Sequence, residues 1–102
     1  MSQLTAYAAI AQAATGAITL VDVREGAEIK ETGMAKDAVH IPLALISLQA
    51  ADKIDKSKPV AVYCAVGGRA GQAVQTLLKL GYDAHSIGGF KDWASAGGPV
   101  SR

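Results

Sequence analysis

The feature that most constrains this chain is an apolar run that carries its single cysteine into a glycine-rich turn. Residues 60–71 read Val-Ala-Val-Tyr-Cys-Ala-Val-Gly-Gly-Arg-Ala-Gly. Pro59 disfavours a helix running into this segment, and the alternating valines of the run are typical of a buried strand. From Arg69 onward, apolar side chains recur at helical spacing. The pattern therefore predicts a strand, a loop and a helix, with Cys64 at the point where the strand becomes the loop.

The predicted turn gives Cys64 an unusual chemical environment. A tight turn between a strand and a helix N-terminus directs backbone N–H groups into one concavity, and the helix adds roughly half a positive charge there. Such a cradle stabilises a thiolate, which is the nucleophilic form of cysteine. The alternative is a buried structural cysteine, which a position outside the strand disfavours. Gly67 and Gly68 tolerate positive φ angles and let the chain curl with its N–H groups inward.

This loop resembles the active-site loop of the rhodanese (sulfurtransferase) family. Cys64-Ala-Val-Gly67-Gly-Arg69 has the family's Cys-x-x-Gly-x-Arg spacing. Further motifs of the family follow its order and extend the likeness over nearly the whole chain: Leu20-Val-Asp22-Val-Arg24-Glu25, His40-Ile41-Pro42, Gly81-Tyr82, Gly88-Gly89-Phe90 with Trp93, and Ala96-Gly97-Gly98-Pro99-Val100. Each motif is weak alone, but their order and spacing together are specific.

Strands and helices are predicted to alternate along the chain. Helices are expected over residues 4–14, 25–31, 43–54, 69–80 and 90–95, and further strands over 18–23, 38–43 and 83–87. The second of these strands contains Pro42, which places it at an edge or makes it irregular. This alternation favours an α/β fold with a mostly parallel central sheet and helices on both faces. The resemblance implies the same small rhodanese-like architecture, and 102 residues suffice for a single domain over 1–102.

The resemblance also implies the residues of the site. Cys64 is the expected catalytic nucleophile, and the expected substrate-binding residues are those of the loop: Ala65, Val66, Gly67, Gly68 and Arg69. Arg69 is expected to close the loop by bonding its carbonyl groups, and secondarily to face the substrate. Asp22 and Arg24, with Glu25, are expected to brace the site from the end of the neighbouring strand. The alternative for these three residues is a solvated turn of mixed charges.

One motif departs from the family's pattern. Where the family usually has Gly-His-Ile-Pro-Gly-Ala, Val39 and Leu43 replace the two glycines that flank the central His-Ile-Pro. The backbone there is therefore expected to differ in shape. Ala70 follows the loop arginine where serine is frequent. These changes affect the surroundings of the site, whereas the nucleophile and the loop glycines are kept.

Composition and charge exclude several classes of function. The chain is 50% hydrophobic and 19% charged, which is typical of a soluble globular protein, and its net charge of +1 favours neither nucleic acid nor a membrane surface as partner. A single cysteine and an N-terminus without a basic segment favour a reducing cytoplasm. His40 and His85 have no cysteine or carboxylate at ligand spacing, so no metal is expected, and no cofactor is implied.

Three functions are compatible with these features. The leading one is a thiosulfate sulfurtransferase, in which Cys64 takes a sulfane sulfur from thiosulfate or another donor, becomes a persulfide, and passes the sulfur to cyanide or a thiol. The second is a persulfide-carrying or regulatory module whose sulfur acceptor is a protein, because Ala65 and Val66 are apolar at the predicted loop tip. The third is a cysteine-loop phosphatase or arsenate reductase. Those enzymes have Cys-x5-Arg, and this loop is one residue shorter.

Overall fold

The computed structural model describes residues 4–102, which form five helices and six strands. The helices are α1 (Ala6–Ala14), α2 (Gly26–Thr32), α3 (Ile46–Lys53), α4 (Gly68–Lys79) and α5 (Phe90–Ser95). The strands are β1 (Thr19–Asp22), β2 (Met34–Ala35), β3 (Val39–His40), β4 (Val60–Cys64), β5 (Ala84–Gly89) and β6 (Val100–Ser101). All predicted elements are present, and a 3₁₀ turn over Leu43–Leu45 replaces the first turn of the third predicted helix.

The main sheet has four parallel strands in the order β3-β1-β4-β5. The central position of β4 and the edge position of β3 agree with the sequence analysis. Because parallel strands end at the same edge of a sheet, Asp22 of β1 lies opposite Tyr63 of β4, and Cys64 pairs with Gly89 of β5. The short strands β2 and β6, which the sequence did not predict, form a separate antiparallel pair.

Alternation along β4 divides the buried side chains into two cores. Val60, Val62 and Cys64 pack in one cluster with residues of α3 and α4, whereas Ala61 and Tyr63 pack in the other with residues of α1 and α5. The sheet is therefore covered by helices on both faces, which confirms the predicted fold class. Cys64 points to the face that carries α4, the helix that follows it in the chain.

The segment that lacks the family's glycines remains attached to β1. Beyond β3, the Ile41 N–H donates to the Asp22 carbonyl and the Leu43 N–H to the Val23 carbonyl. Among the residues from 4 onward, Asp37 is the only one other than glycine with a positive φ. Val39 and Leu43 therefore occupy backbone conformations that L-residues adopt without strain.

Among residues 4–102, no helix is long and apolar enough to cross a membrane.

Tyr63 joins the two sheets through its hydroxyl group, which gives a test of the fold. The buried hydroxyl accepts a 2.9 Å hydrogen bond from the Ala35 N–H of β2. Tyr63→Phe would leave that buried N–H without a partner, so we expect the free energy of unfolding to fall by about 1–3 kcal/mol. The control is Tyr7→Phe, because Tyr7 is 79% exposed. Denaturant unfolding measures both variants, and equal stabilities would contradict the assigned role.

Candidate active site

Cys64 is the last residue of β4, so the expected position outside the strand is wrong, and the loop 65–67 leads from it into α4. The Gly67 N–H donates a 2.9 Å hydrogen bond to Cys64 Sγ. Cys64 is only 1% exposed. Structural cysteines are buried as well, so burial alone does not show whether Cys64 is a nucleophile. The hydrogen bond does favour the nucleophile, because it shows that the loop directs a backbone N–H dipole at the sulfur atom. The structure thus brings the cysteine, the loop and the start of α4 together.

The two loop glycines differ in conformation. Gly67 has a φ of 110°, and this turn aims its N–H back at the sulfur. Gly68 does not use the positive φ that it tolerates, because it is the first residue of α4. A Cβ atom at Gly68 would meet no atom within 4 Å. Only Gly67 therefore needs glycine for its backbone conformation.

The tip of the loop is apolar and open to solvent. Val66 is 89% exposed, and Ala65 is half-buried. Neither side chain carries a charge or a hydrogen-bonding group. A molecule that approaches the sulfur along the loop therefore meets backbone groups and two small apolar side chains.

Arg69 does not bond the loop carbonyl groups, contrary to expectation. Its guanidinium instead forms two parallel hydrogen bonds to the Glu28 carboxylate, Nη1 to Oε2 at 2.8 Å and Nη2 to Oε1 at 2.7 Å. This pair ties the first turn of α4 to the first turn of α2. Hydrogen bonds from Arg69 and from the Glu25 N–H lower the pKa of Glu28 to about 2, and the Glu28 carboxylate raises the pKa of Arg69.

Sequence reasoning missed Glu28 as a residue of the site. The available signal was local: Glu28 lies three residues after Glu25, and the two form a capping box at the start of α2. That spacing puts a carboxylate on the first turn of a helix. It does not name Arg69 as the partner, because the two residues are 41 positions apart in the chain.

The expected ion pair between Asp22 and Arg24 is present and buried, with side chains 0% and 2% exposed. Arg24 Nη2 lies 2.8 Å from Asp22 Oδ2, and Nε donates to both carboxylate oxygens at 3.1 Å. The guanidinium also donates to Thr32 Oγ1 and to the Gly33 carbonyl. Glu25 stays outside this network and is exposed. The solvated-turn alternative is therefore wrong for Asp22 and Arg24.

Both histidines have neighbouring protein partners. His40 Nε2 lies 2.7 Å from the Arg24 carbonyl oxygen, and His85 Nε2 lies 2.8 Å from Asp83 Oδ1. The described part of the chain contains no group of three or more histidine, cysteine or acidic residues that could hold a metal ion.

The Glu28–Arg69 pair predicts a pH dependence of stability. The pKa of Glu28 falls from 4.5 to about 2 on folding, so the pair stabilises the protein above pH 4.5 and this contribution disappears as the pH falls towards 2. Both side chains are about one-third exposed, and solvent screening limits the contribution to about 0.5–1 kcal/mol. Glu28→Gln should therefore be less stable than the wild type at pH 7, and the difference should shrink towards zero as the pH falls through 2.

Denaturant unfolding across this pH range measures the difference. Glu31→Gln removes an exposed carboxylate from the same helix and is the matched control. A difference between the wild type and Glu28→Gln that persists undiminished near pH 2 would contradict the assignment of the pair.

Comparison with known proteins places this fold and loop in a family. Residues 5–96 match the family model of the rhodanese-like domain. A sulfurtransferase of Allochromatium vinosum is 38% identical over 85 residues, which cover 81% of this chain and 78% of the relative. The thiosulfate sulfurtransferase GlpE of Coxiella burnetii is 36% identical over 78 residues, which cover 74% of this chain and 71% of that protein.

Solved structures agree with the sequence relatives. The crystal structure of a rhodanese-related protein from Thermoplasma volcanium superposes with a TM-score of 0.84 at 28% identity, and the match covers 99% of this chain and 98% of that one. The match to the family model spans the strand that ends at Cys64, the loop, the helix α4 and the supporting Asp22–Arg24 pair. The chain belongs to the rhodanese-like domain family.

Proposed function

We propose that this protein is a sulfurtransferase that carries a sulfane sulfur as a persulfide on Cys64. Its donor is thiosulfate or another sulfane compound, and its acceptor is cyanide or a thiol. The observation that carries the proposal is the 2.9 Å hydrogen bond from the Gly67 N–H to Cys64 Sγ, at the point where β4 leads into α4. Membership of the rhodanese-like family and relatives named sulfurtransferases support a role of this type.

In the first step, the Cys64 thiolate attacks the outer sulfur of thiosulfate. A bond forms between the two sulfur atoms, and the sulfur–sulfur bond of thiosulfate breaks with its electron pair leaving on sulfite. The product on the enzyme is a persulfide, whose outer sulfur is anionic. A backbone N–H held near that sulfur stabilises the charge as an oxyanion hole stabilises oxygen. No external oxidant or reductant is required.

In the second step, cyanide or a thiolate attacks the outer sulfur of the persulfide. Cyanide leaves as thiocyanate, and a thiolate leaves as a new persulfide. In both cases the electron pair of the broken sulfur–sulfur bond returns to Cys64 as thiolate. The two half-reactions form a ping-pong cycle with a covalent intermediate. The cysteine must stay reduced between cycles, so we propose a reducing compartment such as the cytoplasm.

The other loop residues are assigned roles that fit this cycle. Gly67 and Gly68 present backbone N–H groups at the start of α4, while Ala65 and Val66 form the entrance. Arg69 holds the start of α4 against α2 through its bonds to Glu28, and contact with the donor is its proposed second role. Asp22 and Arg24 support the site from the end of β1.

The exposed loop tip favours a second candidate, a module that passes sulfur to a protein thiol. Val66 is 89% exposed, and it gives an approaching protein an apolar contact beside the sulfur. The phosphatase alternative is disfavoured by two observations. The loop is one residue shorter than Cys-x5-Arg, and Arg69 is engaged by Glu28 where a phosphatase would need its guanidinium for the phosphate.

Cys64→Ser tests the mechanism directly. The change is nearly isosteric, but a serine hydroxyl cannot form a persulfide, so we expect sulfur transfer to be lost while the fold is kept. Intact-mass measurement after exposure to thiosulfate should show one added sulfur on the wild type, removable by cyanide, and none on the variant. Full turnover by a stably folded Cys64→Ser protein would overturn the proposal.

Ala65→Arg tests whether the loop tip faces the donor. Thiosulfate is a dianion, and Ala65 and Val66 offer it no charge, so we expect weak affinity in the wild type. An added guanidinium should lower the apparent KM for thiosulfate by about threefold to tenfold at low ionic strength, and less as salt is added.

Tyr7→Arg is the matched control for Ala65→Arg, because it adds the same charge at an exposed position on α1. The control should leave the KM for thiosulfate unchanged. An unchanged KM in Ala65→Arg as well would show that this side chain does not face the donor.

A further inference from the structure

The strand β5, which pairs with β4 beside Cys64, has an irregularity in its hydrogen-bonding register. Val62 of β4 pairs with Ser86 of β5, but Cys64 pairs with Gly89, so β5 has one extra residue between these two pairs. Gly88 lies in this bulge with a φ of 91°. Bulges are rare in parallel sheets and are over-represented beside active sites. The extra residue lifts the end of β5 towards the loop that follows Cys64.

Gly88 and Gly89, which we call the glycine platform, lie against the backbone of this loop. A Cβ atom on Gly89 would overlap the Ala65 carbonyl oxygen and would lie 3.0 Å from Val66 Cα. A Cβ atom on Gly67 would lie 3.7 Å from Gly88 Cα. The glycine platform therefore limits where residues 65–67 can lie. Among these residues is Gly67, whose N–H reaches the sulfur.

Two side chains accept hydrogen bonds from the glycine platform: Ser86 Oγ from the Gly88 N–H at 3.3 Å, and Asp92 from the Gly89 N–H at a shorter distance. Asp92, in the first turn of α5, accepts a 2.7 Å hydrogen bond on Oδ2 from the Gly89 N–H. The same oxygen lies 2.6 Å from the position that a Cβ atom on Gly88 would take. The helix that carries Asp92 is itself anchored, because the neighbouring Trp93 is 1% exposed and donates through Nε1 to the Pro99 carbonyl.

We propose that Asp92 is a positioning residue for sulfur transfer. Its carboxylate fixes Gly89, the glycine platform fixes the loop, and the loop sets the distance from the Gly67 N–H to Cys64 Sγ. Asp92 touches neither the sulfur nor the substrate. The inference rests on the proposed function, but the effect of Asp92 on the Gly67 amide can be measured without sulfur transfer.

The experiment compares Asp92→Ala, Asp92→Asn and Asp55→Ala. Asparagine keeps an oxygen acceptor for the Gly89 N–H, whereas alanine does not. Asp55 is the matched control, because its Oδ1 also accepts a hydrogen bond from a backbone N–H, that of Ser57, at 2.8 Å. Asp55 precedes the first residue of β4, whereas Cys64 is the last residue of that strand. The two readouts are the exchange rate of the Gly67 amide hydrogen, followed by NMR, and the steady-state constants for sulfur transfer.

In Asp92→Ala, we expect the Gly67 amide to exchange about tenfold faster and kcat to fall about tenfold with a smaller change in KM. Asp92→Asn should restore most of both, and Asp55→Ala should match the wild type. Faster exchange of Gly89 alone would mean that Asp92 only caps α5. Altered exchange at Gly67 with unchanged kcat would equally overturn the positioning role.

Two further outcomes are decisive. Should Asp92→Ala fail to fold, Asp92→Glu keeps a carboxylate in the first turn of α5 but displaces it by one methylene, and the same two readouts apply to it. Should the wild type transfer no sulfur, the proposed function falls, and the Gly67 exchange rates alone decide whether Asp92 controls the loop.

Discussion

The buried pair of Asp22 and Arg24 is the interaction on which the arrangement of this site depends. Burying two charges is unfavourable unless each is fully hydrogen-bonded. Here the Arg24 guanidinium meets the Asp22 carboxylate, the Thr32 hydroxyl and the Gly33 carbonyl, and lies 4.4 Å from the centre of the Phe90 ring. Desolvation lowers the pKa of Arg24, but Asp22 and Tyr63 together outweigh it, so the pKa is raised.

The partners of Arg24 come from separate parts of the chain. Asp22 ends β1, Gly33 directly follows α2, and Phe90 begins α5, directly after the glycine platform. One satisfied guanidinium thus holds three element ends at the edge of the sheet where Cys64 lies. The Glu28–Arg69 pair adds a second tie, from α2 to the start of α4. Both of these arginines are paired, so the stabilisation that the loop offers to a sulfur anion comes mainly from backbone dipoles.

Local patterns in the sequence were enough to predict the main elements of the fold. These patterns are properties of neighbouring residues: the apolar run before Cys64 and the helical spacing after Arg69. Pro42 is a further local signal, because proline is confined to edge or irregular strands. The motif spacing predicted Cys64 as the nucleophile and singled out Asp22 and Arg24, which form a buried pair. Strand alternation also indicates which side chains share a face, since the period of two holds wherever β4 is regular.

What the sequence did not reveal depends on contacts between distant segments. Glu28 and Arg69 meet only after α2 and α4 have packed. The bulge in β5 breaks the period of two, and nothing in Gly88-Gly89 distinguishes it from an ordinary turn. Gly68 was placed in the turn because a glycine pair suggests one, but the helix begins one residue earlier than its apolar pattern does. The strands β2 and β6 have two residues each, too few to show any period.

The exposure of Val66 has a consequence for how proteins of this kind diversify. A side chain that is 89% exposed contributes almost nothing to the core, so its replacement leaves the stability of the fold nearly unchanged. Gly67 and Gly89, a few ångströms away, cannot change without moving backbone. Substitutions at position 66 can therefore alter the exposed tip of the loop while the backbone around Cys64 stays constant. The chemistry that the loop tip presents to solvent can in this way change at a position that folding does not constrain.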